Sequence, residues 1–222
     1  MTPFYDWPKA TAFGRVVPKS KIYTHASATT ALKSRFVEQV DQINWAHKLA
    51  PETLNLPATK SVREVQVFRI RLKTPDCHET VLRAIDRAIP FPLIFELTRD
   101  GQTQVAAAYK RPSESDSSKW VLGEYFRSDW LDANTPRVAL PVAVDMARLY
   151  EALLGPLIPV VPTEAEPLQA RLDRAQALKA KETEINRLKS RLKNERQFNR
   201  RVEINGVLRE AQAEFEHLKT GN

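Results

Sequence analysis

The dipeptide Asp100-Gly101, set between two apolar runs, limits what this 222-residue chain can fold into more than any other feature. A two-residue type I′ turn needs positive φ at both central positions, and Asp-Gly supplies it. It therefore predicts a hairpin with strands at Leu93–Thr98 and Gln102–Tyr109. The turn also sets the register: Arg99 opposite Gln102, Glu96 opposite Val105, Phe91 opposite Lys110. Just upstream, Val81, Ile85 and Ala88 recur at helical spacing, with Leu82 and Ile89 beside them. Pro90 and Pro92 end that helix, because proline lacks an N–H and disfavours helix in the residue before it. Helix and hairpin together occupy Cys77 to Arg111.

The remaining elements are placed around this stretch. Residues 1–26 read as an irregular arm, interrupted by Pro3, Pro8 and Pro18 and anchored by Trp7, Phe13, Val16, Val17, Ile22 and Tyr23. Thr29 or Thr30 can cap a helix that carries Leu32, Phe36 and Val40 on one face. Ile43–Leu49 alternates like a short strand, and Ser61–Lys73 is the longest strand candidate. There Val65, Val67, Arg69 and Arg71 share one face, and Gln66, Phe68, Ile70 and Leu72 share the other. After the polar loop Pro112–Ser118, Lys119–Arg127 extends the hairpin into a meander. Pro141 suits the first turn of a helix holding Val144, Leu149 and Leu153, stopped by Gly155-Pro156. The fold class expected is α+β over residues 27–155: a mainly antiparallel sheet with helices on one face. Residues 156–163 read as a proline-punctuated linker.

From residue 164 to 222 the composition changes, with no proline after Pro167. Leu168, Leu172, Ala175, Leu178, Ile185, Leu188 and Leu192 follow alternating three- and four-residue steps, and Phe198, Val202, Asn205, Leu208, Phe215 and Leu218 continue them. The pattern predicts a coiled-coil-like helical extension, either one long helix or a hairpin. Its narrow stripe suits burial against another helix. Leu178, Ile185, Leu188 and Leu192 are the expected contact residues, with Asn205 fixing register. Their partner is a second copy, the second half of the tail folded back, or a different protein.

Composition excludes several classes. The single cysteine, Cys77, rules out an internal disulfide or a cysteine-rich zinc site and suits a reducing cytoplasm. The N-terminal residues have neither a basic start nor an apolar run, so no signal peptide is expected. No stretch is long and apolar enough to predict a membrane helix. The six glycines fall in six different places, which argues against a phosphate-binding loop or dinucleotide fingerprint. The four histidines are scattered and none sits at metal-ligand spacing with another. No cofactor and no metal are expected.

Two features carry chemistry. Asp86, Glu96 and Lys110 lie on a helix, a strand and its partner strand, an arrangement that metal-dependent nucleases use to hold a divalent ion and an attacking water. The register predicted above puts Lys110 on one sheet face and Glu96 on the other, so only a bulge would unite them. The bland alternative pairs Glu96 with an arginine or lysine of a neighbouring strand. The second feature is charge. The net charge is +7. Arg187, Lys189, Arg191, Lys193, Arg196, Arg200 and Arg201 face Glu195 alone as the acid in their stretch. Such a run gains affinity for nucleic acid by releasing counterions from phosphate. It also fits a solvated helix face or an acidic partner.

The segments Phe13–Tyr23, Lys48–Pro57, Ile85–Pro90, Ala107–Arg111 and Gln197–Glu203 resemble a bacterial family classed as a domain of unknown function. The resemblance spans nearly the whole chain. It implies company rather than chemistry: members are typically encoded beside helicases and DNA methyltransferases in restriction-like, anti-phage defence loci. It carries over no catalytic residues. The function expected is a non-enzymatic accessory subunit in the cytoplasm. It would dock a helicase or methyltransferase, with non-specific DNA and self-association through the tail as further contacts. A divergent metal-dependent nuclease is the alternative.

Overall fold

The computed structural model describes residues 3–116, 119–164 and 166–220. Ser117 and Ser118 of the polar loop, the first two residues of the arm, and Ala165, Gly221 and Asn222 of the tail lie outside the described residues. The chain divides into two units, Met1–Leu157 and Ile158–Asn222.

The first unit is α+β. Among the described residues its strands are β1 (Ala12–Val16), β2 (Val40–Leu49), β3 (Val65–Leu72), β4 (Leu93–Arg99), β5 (Gln102–Pro112), β6 (Trp120–Arg127) and β7 (Leu131–Asp132). They form one sheet in the order β1-β2-β3-β4-β5-β6, with β7 on the start of β5. Every pairing is antiparallel except β3 with β4. That parallel pair requires a crossover, and the helix predicted upstream of the hairpin supplies it. The helices are α1 (Lys19–His25), α2 (Thr30–Gln39), α3 (Pro51–Leu54), the crossover α4 (Glu79–Ala88) and α5 (Met146–Leu154).

The central turn forms as the sequence dictates. Asp100 and Gly101 take φ of 47° and 76°, Arg99 pairs with Gln102, and Glu96 pairs with Val105. This register aims Leu93, Phe95 and Leu97 at one face, where Phe68, Ile70, Phe36, Val81, Leu82 and Ile85 meet them in the main core. Each large aliphatic side chain buried there contributes roughly 1.5–3 kcal/mol. Thr29 caps α2 by accepting from Leu32 N at 3.3 Å. His78 caps α4, its Nδ1 accepting from Thr80 N at 3.2 Å.

The second face, with Val67, Ile94, Val105 and Ala107, is also buried. Here the N-terminal arm and α5 cover it. Trp7 packs against Tyr5 with the ring centroids 5.7 Å apart and the planes tilted by 57°, and the Tyr5 hydroxyl donates to Ala152 O at 3.5 Å. Tyr109 of β5 stacks on Tyr150 of α5 at 6.0 Å.

Two expectations need correction. The arm is more regular than its prolines imply: after a 3-10 turn at Lys9–Thr11 it contributes β1 and α1. Pro18 stands at the N-cap of α1, where its fixed φ and missing N–H favour a helix start. The last helix of the unit does not begin at Pro141. Asp145 caps it through Arg148 N at 2.8 Å, and Val144 is left 76% exposed. The proline-punctuated segment after α5 is bonded to the second unit's own helices. Arg171 donates to Val160 O at 3.0 Å and Arg174 donates to Val161 O at 2.6 Å, so the proline-rich segment is pinned to the helices that follow it.

Those helices are α6 (Leu168–Asn194) and α7 (Phe198–Thr220), which turn back on each other as a hairpin. Ile185 and Leu188 pack with Ile204, Leu208 and Ala211, flanked by Leu192 and Phe215. Of the predicted contact residues on α6, Ile185, Leu188 and Leu192 are thus used within the chain. The seam on α7 keeps Leu208 and Phe215 of the expected stripe and departs from it elsewhere. Ile204, Leu208 and Ala211 fill it, while Asn205 is exposed together with Phe198 and Val202. Asn205 therefore fixes no register in this hairpin. The stagger of the two helices is set by the three-residue connection Glu195–Gln197, which sequence spacing alone leaves open.

Because each unit owns a core, residues 1–157 expressed alone should unfold in one sharp thermal transition. A broad, non-cooperative melt of that fragment would show that the helical hairpin completes the first core.

Candidate functional site

Lys110 is a lysine where sequence spacing puts a core position, and it is 2% exposed. Its ammonium has three acceptors. They are the carbonyls of Asp86 and Ile89 and, at 3.4 Å, the Asp86 carboxylate. The first two belong to the C-terminal turn of α4, whose last carbonyls have no partner within the helix. Lys110 thus reaches from β5 to cap α4. A cation also suits the negative end of the helix dipole.

Asp86 completes the cluster. Its second carboxylate oxygen accepts from the Tyr125 hydroxyl of β6. Burial pushes the Asp86 carboxyl up to about 6, although the Lys110 ammonium and the Tyr125 hydroxyl both oppose the shift. Burial likewise pushes Lys110 down, with Asp86 opposing. From the other side of the sheet, the Tyr150 hydroxyl accepts from Lys110 N at 3.0 Å and donates to Ala108 O at 2.8 Å. These groups lie beyond the last β4–β5 pair, Ile94 with Ala107, where the ladder has ended. A bulge is present at this point, but between β5 and β6: Ala108 pairs with Tyr125 and Lys110 with Leu122. Gly123 permits it, since a Cβ there would lie 3.3 Å from Tyr109 O. The bulge leaves Lys110 on the Asp86 side.

Glu96 sits on the opposite face, 1% exposed. It accepts from Arg69 of β3 at 2.7 and 3.0 Å, from Arg137 at 2.8 Å and from Trp7 Nε1 at 2.8 Å. Burial alone would push its carboxyl up, but the two guanidinium groups and the indole N–H outweigh it and hold it below the usual range. Arg137 also donates to Tyr5 O at 2.7 Å and lies 3.8 Å above the Phe4 ring. Glu96 is therefore the anchor that holds the N-terminal arm to the sheet.

The structure thus brings Asp86 and Lys110 together and keeps Glu96 away from both. Among the described residues, no group of three or more His, Cys, Asp or Glu is placed to hold a metal ion. The polar atoms of both clusters are consumed by fixed partners, the arrangement of buried groups that hold a fold. Sequence reasoning missed Tyr125, Tyr150, Trp7 and Arg137. The one available signal was that a lysine and an acid at core positions need partners from elsewhere.

The seven basic residues of the tail behave differently. Arg187, Lys189, Arg191 and Lys193 lie on the last two turns of α6, Arg196 in the connection, and Arg200 and Arg201 on the first turn of α7. All seven are exposed, and none pairs with a carboxylate among the described residues. Glu195, the acid among them, is occupied otherwise. Its carboxylate accepts from Arg196 N at 2.8 Å and Gln197 N at 2.9 Å, contacts that hold its pKa down. The hairpin fold therefore gathers onto one tip a charge that a single straight helix would spread along its length.

The fold and these clusters define an α+β protein with a basic helical hairpin, and with ionisable groups of the sheet committed to structure. The chain belongs to the DUF4391 family, described as a domain of unknown function, whose model matches residues 5–215. Comparison with curated proteins and with solved structures gives no match. Among the described residues, no helix is long and apolar enough to cross a membrane.

Three measurements check the structural role of the sheet clusters. Tyr150→Phe leaves two buried backbone groups short of a partner and should cost about 1–3 kcal/mol in denaturant unfolding. For Asp86, the folded pKa of about 6 exceeds the ordinary 3.8, so its contribution is present below about 4 and is lost as pH rises through about 6. Measured against Asp86→Asn, the natural protein should lose about 3 kcal/mol of relative stability over that window. Parallel pH profiles would show that Asp86 does not titrate as an isolated buried acid. Glu96→Gln removes the charge that Arg69 and Arg137 share and should cost roughly 2–3 kcal/mol. An unchanged melting temperature in that variant would release the arm from its assigned anchor.

Proposed function

We propose that this protein is a non-enzymatic accessory subunit of a bacterial DNA-processing system, and that the tip of its helical hairpin contacts nucleic-acid phosphates. The observation that carries the reading is the tip itself: seven exposed cations without carboxylate partners, and an acid already bonded to backbone. Unpaired cations packed on one tip repel each other, and a polyanion relieves that repulsion while releasing its own counterions. A contact made to phosphates is non-specific, and it positions rather than selects.

The first unit would then be the docking body for a helicase or DNA methyltransferase in the cytoplasm. Family resemblance suggests that company. The nuclease alternative has no observation in its favour, since Asp86 and Lys110 cap a helix and Glu96 anchors the arm on the far face.

Fluorescence anisotropy with labelled duplex DNA at several salt concentrations tests the reading. Affinity should fall steeply with salt, with a log–log slope near −3 if about three or four phosphates are engaged. Replacing Arg191, Lys193, Arg196 and Arg200 with glutamine should flatten that slope and weaken binding together. Equal slopes in the two proteins would remove the tip from DNA contact. Metal-dependent cleavage by the pure protein, lost in Glu96→Gln, would restore the nuclease.

A further inference from the structure

A cleft of about 320 Å³ lies between the N-terminal part of α2 and the outer face of α4. Its apolar wall includes Ala31, Leu32 and the buried Ala84, and three arginines line it: Arg35, Arg83 and Arg87. The three are held differently. Arg83 is paired with Glu79 at 2.7 Å, donates to Gly123 O at 3.1 Å, and lies over the Tyr125 ring at 5.6 Å. Arg35 is positioned by the Thr80 hydroxyl at 2.9 Å and by His78 Nδ1 at 3.3 Å, and no carboxylate pairs with it among the described residues. Arg87 is exposed and has no hydrogen-bond or ion-pair partner among the described residues.

Two guanidinium groups in one cleft therefore carry charge that no carboxylate balances. Like charges converging on a concave, partly apolar surface are unfavourable unless an anion sits between them. Guanidinium is the side chain best shaped for phosphate, because its N–H groups form a planar fork that matches two phosphate oxygens. The volume lies at the lower end of the range for small-molecule sites, roughly 300–1,000 Å³, which excludes large cofactors. The small side chains of Ala31 and Ala84 leave room for a flat body beside the charge.

We infer that this cleft binds a phosphomonoester of nucleoside-monophosphate size, with its phosphate between Arg35 and Arg87 and its planar body against Leu32 and Ala84. Isothermal titration of the full chain with AMP, inorganic phosphate and adenosine tests it. AMP should bind saturably, phosphate more weakly, and adenosine not at all within the millimolar range. Arg35→Gln combined with Arg87→Gln should weaken AMP binding at least about tenfold, a loss of about 1.4 kcal/mol. Ala31→Trp, at an exposed position that bears on no core, should block AMP by filling the cleft without changing charge. The glutamine variant of the hairpin tip should bind AMP as the natural protein does, which separates this site from the DNA contact proposed above. Absence of saturable AMP binding, or equal binding by the Arg35/Arg87 and Ala31 variants, overturns the site. Phosphate binding as tight as AMP binding overturns the assignment of the apolar wall.

Discussion

A buried ammonium holds the first unit together. Lys110 takes its three N–H bonds to the C-terminal turn of α4 and to Asp86, and so ties the crossover helix to the middle of the sheet. The parallel β3–β4 pair exists only because α4 returns the chain across the sheet, and α4 can end abruptly at Pro90 only because its last carbonyls find a donor. Tyr125 bonds the Asp86 carboxylate from β6 and Tyr150 bonds the Lys110 backbone from α5, so four elements meet around the Lys110–Asp86 pair. Removing one member of such a buried pair is costly because the other is left uncompensated. The same device recurs at α2, where Lys19 donates to Phe36 O at 3.3 Å and Lys73 to Val37 O at 2.8 Å.

The local code was readable where the signal is short-range. Asp100-Gly101 specified the hairpin and its register, Thr29 marked the start of α2, and Pro90 marked the end of α4. The alternation of Val65 to Leu72 separated the two faces of β3, where Arg69 and Arg71 reach outward. What escaped were contacts between residues far apart in sequence. Trp7 lies 89 positions from Glu96, and Lys110 lies 40 from Tyr150. Spacing identified Lys110 and Glu96 as unusual polar residues in apolar strands, but only the packing shows that each is matched by a structural partner. In the tail the counted steps reached Leu208 and Phe215 on the seam, but Ile204 and Ala211 fill the positions beside them and Asn205 is left exposed.

The division of labour among charged residues follows burial. Charges inside the sheet unit are neutralised in pairs and serve the fold. Charges at the hairpin tip are solvated, unpaired and crowded, and Arg35 and Arg87 share that uncompensated character beside α2 and α4. Uncompensated surface cations cost the folded protein something through mutual repulsion, whereas an anionic partner would gain from all of them together. On this account the protein acts through what it binds at its surface, and its buried acids and lysine are the means by which the surface is held in shape.

Photocrosslinking of the full chain to iodouracil-substituted DNA, with the adducts mapped by mass spectrometry, tests that central claim most directly. The account predicts adducts concentrated in peptides spanning residues 187–201. Adducts confined to residues 1–157, with the hairpin tip unlabelled, would contradict it.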